Sequence, residues 1–290
     1  MHDISQFLRR MSDLSVAQAI AKDQTALPQM AYRTSLALRE KGVDFIGDYV
    51  INIGSHDGKS MDDPCFAFYH DMELPGICMD ALECPEIHQN LPWERVRKFM
   101  GSLLTPGNVV PFLVREKTPT TGHFLKIDID GIDAQILKRI LQRGFEFDII
   151  QIEVNPEFPP PVLFSIQFHP MFKAGGRTGF YGASCSYIEN LVSPYGYSVL
   201  ELDMESPSHD VLLINNRHKE HFQISPLKEQ FTNATAGHSH FFFNLGIDCS
   251  DWKTRKDYDY LIPEMWNVLA TASRRKHGDV LPFTLDIANE

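Results

Sequence analysis

The sequence is short of several things, and each shortage excludes a class of protein. Its five cysteines, at 65, 78, 84, 185 and 249, form no C-x-x-C pair. An odd, scattered set argues against a disulfide framework and a cysteine-built zinc site, and predicts free, packed thiols in a reducing compartment. No run of 18 apolar residues occurs, and Met1 to Arg10 lack the apolar core of a signal peptide. No transmembrane helix is therefore expected, and the expectation is a cytoplasmic protein with no membrane partner. Asn233-Ala234-Thr235 fits a glycosylation acceptor, but without a secretion signal it reads as chance. Positive charge is scarce as well: 27 Lys and Arg against 38 Asp and Glu leave a net charge of −11. That balance opposes nucleic acid and anionic lipid, both of which need a positive footprint. There is no internal repeat or low-complexity tract. What remains is 290 residues with 43% hydrophobic and 22% charged side chains, an ordinary soluble composition. Such a chain supports one large domain or two small ones without staples.

Between residues 3 and 41 the apolar residues fall at helical spacing: Ile4, Phe7, Leu8, Met11, then Met30, Leu36 and Leu38. This predicts two or three helices, broken near Pro28 and ending at Gly42, in a helical N-terminal extension over 1–47. From Asp48 the texture changes to short segments rich in β-branched and apolar residues, at 49–53, 76–80, 96–100, 124–129 and 149–154. Helical patterns fall between most of them. Asp62 and Asp63 before Pro64 suit a helix start. Ile136, Leu137, Ile140 and Leu141 form one stripe, and Gly144 supplies the C-cap. Strand–helix alternation implies βαβ units and a mostly parallel sheet. The segments 197–202 and 210–214, separated by a polar turn around Pro207, read as an antiparallel pair. The fold class is therefore α/β: a doubly wound, mostly parallel seven-stranded sheet closed by an antiparallel last pair, over 48–216. Residues 217–290 are expected to form a C-terminal extension packed on the same domain. In it Phe241-Phe242-Phe243 is a candidate for burial. A helix is expected from Pro263 to Lys276, with Arg274, Arg275 and Lys276 in its last turn and Gly278 after it.

In open parallel sheets, ligands sit beyond the carboxyl ends of the strands, where the strand order reverses. The first strand ends in Asn52-Ile53-Gly54-Ser55-His56-Asp57-Gly58, a G-x-x-x-G that either cradles a ligand or makes a plain turn. The second ends in Asp80, a carboxylate able to hold a ribose diol or to cap the next helix. On the fourth strand Lys126, Asp128 and Asp130 share a face, and on the fifth Gln151, Glu153 and Asn155 do. Close carboxylates need a counter-charge, a shared proton or a metal. Lys126 is one solution, a Mg²⁺-type ion on Asp130, Glu153 and Asn155 another, and a salt-bridged structural cluster a third. Histidines 218, 221, 238 and 240 are weaker metal candidates, with solvated surface histidines as the default.

Several blocks, in order, resemble the FkbM-type branch of S-adenosylmethionine-dependent methyltransferases. They are Tyr-Val-Ile-Asn-Ile-Gly-Ser-His-Asp-Gly at 49–58, Gly-Ile-Cys-Met-Asp-Ala at 76–81 and Phe-Leu-Lys-Ile-Asp-Ile-Asp-Gly-Ile-Asp at 124–133. Ile-Glu-Val-Asn-Pro-Glu-Phe-Pro-Pro-Pro at 152–161, Gly-Ala-Ser at 182–184 and Tyr-Gly-Tyr at 195–197 follow. The resemblance implies a class I, Rossmann-like fold with S-adenosylmethionine as methyl donor. It implies that Gly54 to Gly58, with Ser55, His56 and Asp57, cradle the methionine part. Asp80 and Ala81 would serve the ribose side, Gly101 and Ser102 would border the adenine, and Asp128 would stand beside the sulfonium. Asn52 departs from the acid that the family usually carries there, so weak donor binding, or an inactive module acting through a partner, is the alternative. The expected reaction is O-methylation of a small or carbohydrate-like acceptor, with no nucleic acid involved. Asp128 and Asp130 are the preferred bases or metal ligands, and His169, in the long loop from Pro156 to Tyr181, is a second base. Tyr181 and Ser184 either line the acceptor pocket or cap the following helix. Asp128-Ile129-Asp130 also resembles the D-x-D of sugar-nucleotide glycosyltransferases, which leaves the other blocks unexplained.

Overall fold

The structure is a computed structural model that describes residues 28–59, 63–173, 179–204, 209–236, 241–242, 247–249 and 251–288. Helix α1 (Pro28–Glu40) precedes a strand–helix alternation: β1 (Val50–Ile53), α2 (Cys65–His70), β2 (Gly76–Met79), α3 (Ile87–Asn90), β3 (Val96–Phe99), α4 (Val109–Arg115), β4 (Thr121–Ile127), α5 (Asp133–Gln142) and β5 (Glu146–Glu153). There follow β6 (Val162–Ile166), α6 (Cys185–Val192), β7 (Tyr197–Asp203), β8 (Asp210–Asn215) and α7 (Leu227–Ala234). Two short strands, β9 (Phe241–Phe242) and β10 (Ile247–Asp248), a long helix, α8 (Tyr258–His277), and β11 (Phe283–Ile287) come last.

Seven strands form the main sheet in the order β3-β2-β1-β4-β5-β8-β7. All neighbours are parallel except that β8 runs opposite to both β5 and β7. This is the class I methyltransferase-like, doubly wound arrangement, with the order reversing between β1 and β4. The central strands form because their apolar runs are buried on both faces. One face (Val50, Phe124, Ile149, Leu212) packs on α1 and α2, through Met30, Leu38, Phe68 and Tyr69. The other (Ile51, Leu125, Ile150, Leu213) packs on α4, α5, α6 and α8. The predicted α5 stripe of Ile136, Leu137, Ile140 and Leu141 is at most 3% exposed. Each such side chain contributes roughly 1.5–3 kcal/mol on burial. All five cysteines are free and buried. Among the described residues, no helix is long and apolar enough to cross a membrane.

Two expectations change. The stretch read as one loop from Pro156 to Tyr181 contains β6, which pairs antiparallel with β11 in a separate ribbon. The helix expected from Pro263 begins at Tyr258, so Pro263 lies inside α8; its Leu261, Met265 and Leu269 join the main core. The N-terminal residues 1–27, Asp62, Pro207, His238, His240 and Phe243 lie outside the described residues.

Candidate ligand site at the carboxyl ends of the strands

The ends of β1, β2 and β4 are tied together by short polar contacts. Gly54 follows β1 with φ +82°, and a Cβ there would lie 1.6 Å from the Asp128 carbonyl oxygen. The glycine is thus required by backbone packing between the β1 and β4 ends. Asp80, just past β2, accepts from His56 N–H (2.7 Å) through Oδ2 and from Leu82 N–H (2.8 Å) through Oδ1. It therefore fixes the first loop against the second, and each oxygen keeps a lone pair for a ligand. Lys126 Nζ donates to the Gly54 carbonyl (2.6 Å) and pairs with Asp128 (3.1 Å). Burial opposes its charge, but the Asp128 and Asp63 carboxylates outweigh burial and hold the pKa above the ordinary lysine value.

These ends surround a cavity of about 350 Å³ at the point where the strand order reverses. Pockets for small molecules and cofactors run roughly 300–1,000 Å³. Ile53 and Gly54 line it from β1, and Met79, Asp80 and Ala81 from β2. The segment 102–105 after β3, Ile129 and Ile132 after β4, and Phe168, His169, Pro170 and Phe172 complete the wall. The walls are mostly apolar with few polar groups, a form suited to a flat heterocycle carrying a diol. Of the residues expected from the sequence, Gly54, Asp80, Ala81, Ser102 and His169 meet here. His169 Nδ1 accepts from Met171 N–H (3.2 Å), so the neutral ring carries its proton on Nε2 and presents a donor, not a base.

The other expected donor residues do not line the cavity. Asn52 is fully buried, and its Nδ2 donates to Asp63 Oδ2 at 2.6 Å. An acid at position 52 would put two buried carboxylates in contact, so asparagine is the residue that fits beside Asp63. Asn52 Oδ1 and Ser55 Oγ are buried and have no hydrogen-bond partner among the described residues. Asp57 accepts from Lys59 N–H (3.0 Å), Gly58 abuts Leu91, and Gly101 faces Glu83.

A second cluster gathers carboxylates around Asp128: Asp130 and Glu153, which the strand alternation brought into view, and Asp133 and Asp210, which it did not. Asp133, at the start of α5, accepts from the backbone N–H groups of Ile129 (2.8 Å) and Gly131 (2.9 Å), fixing the loop after β4. Burial and then Asp128 push its pKa up to about 7. Asp210 accepts from Gln151 Nε2 (2.8 Å) and is pushed up to about 7 by burial and then Asp128. Burial, then Asp128 and Asp133, raise Glu153 well above the carboxylate range. Burial and Asp128 also raise Asp130, which adopts a left-handed backbone at φ +56°. The proposed ligand set of Asp130, Glu153 and Asn155 does not fit a metal. Asn155 Nδ2 donates to the Gly179 and Tyr181 carbonyls, and its Oδ1 accepts from Glu157 N–H. Among the described residues, no group of three or more His, Cys, Asp or Glu side chains is arranged to hold an ion. Ser184 caps α6 by accepting from Tyr187 N–H (3.1 Å).

Sequence reasoning missed one polar network. Asp148 accepts Ile46 N–H and bonds His123 Nδ1 (3.0 Å) and His218 Nε2 (2.6 Å), while His123 Nε2 meets Ser35 Oγ at 2.6 Å. His218, read as a surface residue, is 2% exposed. Ser35, His123 and Asp148 have the connectivity of a hydrolytic triad. His123 and Asp148 lie near the amino ends of β4 and β5 and Ser35 on α1, each 0% exposed, where no substrate reaches them. The network instead joins α1, β4, β5 and the turn after β8.

No protein-family model matches the chain, and no curated protein matches it in sequence. Solved structures that resemble it include a candidate hemolysin from Lactococcus lactis, at 13% identity and a TM-score of 0.42, covering 73% of this chain and 100% of that one. The mitomycin 7-O-methyltransferase MmcR is 16% identical with a TM-score of 0.32, covering 73% of this chain and 67% of its own. S-adenosylmethionine-bound CalS10, an amino pentose methyltransferase from Micromonospora echinaspora, is 8% identical with a TM-score of 0.36, covering 74% of this chain and 98% of its own.

Proposed function

We propose that the chain is an S-adenosylmethionine-dependent methyltransferase of the FkbM type, acting on a hydroxyl of a small or carbohydrate-like acceptor. The observation that carries this reading is Asp80: its carboxylate lines a largely apolar cavity at the β1–β4 switch point, in a class I sheet order. When bound, S-adenosylmethionine supplies a methyl group on a positively charged sulfur. Asp80 would accept from the ribose hydroxyls, Met79, Ala81 and Leu104 would enclose the adenine, and the Gly54 turn would border the methionine part. Ile129 lines the cavity between Asp128 and Asp130, and negative charge on Asp128 beside it would favour a sulfonium. The protein's task is to align the two reactants and remove one proton. The net charge of −11 supports a neutral acceptor over a nucleic acid.

Titration calorimetry with S-adenosylmethionine and with its homocysteine product tests the reading. Micromolar binding is expected. An Asp80→Asn variant, which retains one acceptor oxygen for the local backbone, is expected to weaken it roughly 10–100-fold, equivalent to the loss of a charge-assisted bond worth about 1.5–3 kcal/mol. No heat at millimolar ligand would end the methyltransferase reading.

A further inference from the structure

Among the described residues, the cavity that carries Asp80 is lined by no free base. Only two of those lining residues are titratable, Asp80 and His169. Asp80 uses one oxygen on each of two backbone N–H groups and serves the ribose in the reading above. His169 Nδ1 accepts from Met171 N–H (3.2 Å), so Nε2 carries the ring proton, and Nε2 makes no hydrogen bond among the described residues. Asp128 and Asp130, the bases expected from the sequence, do not line the cavity, and Asp128 is paired with Lys126.

The mouth of the cavity is apolar and open. Leu103 and Phe168 both line the cavity and reach solvent, at 70% and 42% exposure. Met171, between the lining residues Pro170 and Phe172, is 54% exposed. Exposed apolar side chains grouped at an opening mark a binding surface. The backbone on either side of Phe168 is fixed. Gln167 N–H donates to the Pro282 carbonyl (2.9 Å), and Gln167 Nε2 to Thr284 Oγ1 (3.2 Å). Phe172 N–H closes a turn onto the His169 carbonyl (2.9 Å). The Phe172 ring fills the space beside Gly131, where a Cβ would lie 2.3 Å from it, and stacks on His277 at 5.4 Å. The turn therefore offers Phe168 to solvent as a preorganised platform for a second ring.

We propose that the methyl acceptor is a phenol, its ring seated on Phe168 at the cavity mouth and its oxygen accepting from His169 Nε2–H. This rests on the methyltransferase reading above and narrows its acceptor to one class. A phenol ionises near pH ~10, as the tyrosine side chain does, whereas an alcohol is about as weak an acid as water, near ~15.7. With no base in the cavity, the more acidic hydroxyl is the one that reaches its nucleophilic form, roughly one part in a hundred at pH 8. A hydrogen bond from Nε2–H favours that charged form further. An amine fits less well: its single lone pair attacks carbon and leaves none to accept from Nε2–H, whereas a phenolate oxygen has lone pairs for both. In the transfer the phenol proton leaves to solvent water through the open mouth. The phenolate oxygen forms a bond to the methyl carbon. The carbon–sulfur bond breaks, with its electron pair left on sulfur. His169 holds the attacking oxygen in place during this step.

The test pairs donor binding with transfer. Calorimetry with S-adenosylhomocysteine is run on wild type, Phe168→Ala, His169→Leu and His169→Gln. Transfer from methyl-labelled S-adenosylmethionine is then measured to 4-methylphenol, 4-nitrophenol, methyl glucoside, glycerol and aniline across a range of pH. Wild type is expected to methylate the two phenols at least 100-fold faster than the alcohols or the amine. Its kcat/KM should rise in step with the ionised fraction of each phenol, and so level off at a lower pH for the more acidic 4-nitrophenol. Phe168→Ala should raise the KM for 4-methylphenol at least tenfold with kcat within threefold. His169→Leu should lower kcat about 10–100-fold, and His169→Gln, which keeps an N–H donor, should recover to within tenfold of wild type. Donor affinity should stay within threefold throughout. A plateau at one pH for both phenols would reveal a base on the protein and overturn the proposal. So would a wild type that binds donor yet prefers methyl glucoside, glycerol or aniline, or transfers to none of the probes, and so would unchanged kinetics in Phe168→Ala and His169→Leu. A wild type that binds no donor sinks the underlying methyltransferase reading, a distinct outcome.

Discussion

Replacing Gly54 by alanine separates backbone strain from collision. At φ +82° an alanine carries a left-handed penalty of about 1–2 kcal/mol. The added Cβ also lands 1.6 Å from the Asp128 carbonyl oxygen. That oxygen cannot swing aside freely: Asp128 N–H donates to the Ile53 carbonyl at 3.0 Å, and Ile53 stands in register with Ile127. Forcing the β1 and β4 ends apart adds about 1–3 kcal/mol, as overpacking in a rigid setting does. The sum, about 2–5 kcal/mol, corresponds to a fall in Tm of roughly 4–20 °C for a domain of this class. Gly144→Ala is the internal control, because Gly144 has φ +84° but nothing within 4 Å of its added Cβ. It should cost only the strain, roughly 2–8 °C by the same scaling. Both are measured by thermal unfolding followed by near-ultraviolet circular dichroism. Equal shifts in the two variants would refute the packing argument and leave Gly54 as an ordinary turn residue.

Two other perturbations probe the buried charges. Asp210 is protonated more readily in the fold than in the unfolded chain, so its contribution to stability is complete below about pH 4 and lost as the pH rises through about 7. Asp210→Asn should therefore gain stability over wild type at pH 8 but not at pH 4 in urea unfolding, with a residual slope from Asp133; a gain of equal size at both pH values contradicts this. At the opposite end of the sheet, Asp148→Ala strands two histidines and should cost about 3–5 kcal/mol. Ser35→Ala should cost about 1–3 kcal/mol. Hydrolysis of nitrophenyl acetate should be the same for Ser35→Ala as for wild type, and a drop would show that the buried Ser35–His123–Asp148 set is reachable after all.

The parts of the fold that could be read from sequence are those whose signal is local. Val50–Ile53 and Ile149–Ile152 announce buried strands by composition, and Ile136, Leu137, Ile140 and Leu141 announce α5 by spacing. Strand β6 could not be read because it follows Pro159, Pro160 and Pro161, and its partner, 283–287, lies more than a hundred residues away. The site divides along the same line. Gly54 and Asp80 sit at strand ends, where topology alone makes polar residues informative. Phe172 lay in a stretch read as one loop; only the packing of His277 on α8 against its ring fixes it at the cavity wall. Asn52 looked like a defect in the donor loop, because its partner Asp63 is separated from it by an intervening turn.

The β6–β11 ribbon has a consequence for how such a protein diversifies. The ribbon is hydrogen-bonded within itself and not into the seven-stranded sheet. It flanks the segment that carries Phe168, His169 and Phe172, and Gln167 N–H donates to the Pro282 carbonyl just ahead of β11. Substitutions along it can reshape the wall opposite Asp80 while leaving the register of β1, β2 and β4 untouched. A directed-evolution library confined to 162–172 and 281–287 would therefore alter that wall far more readily than the strand ends that carry Gly54 and Asp80.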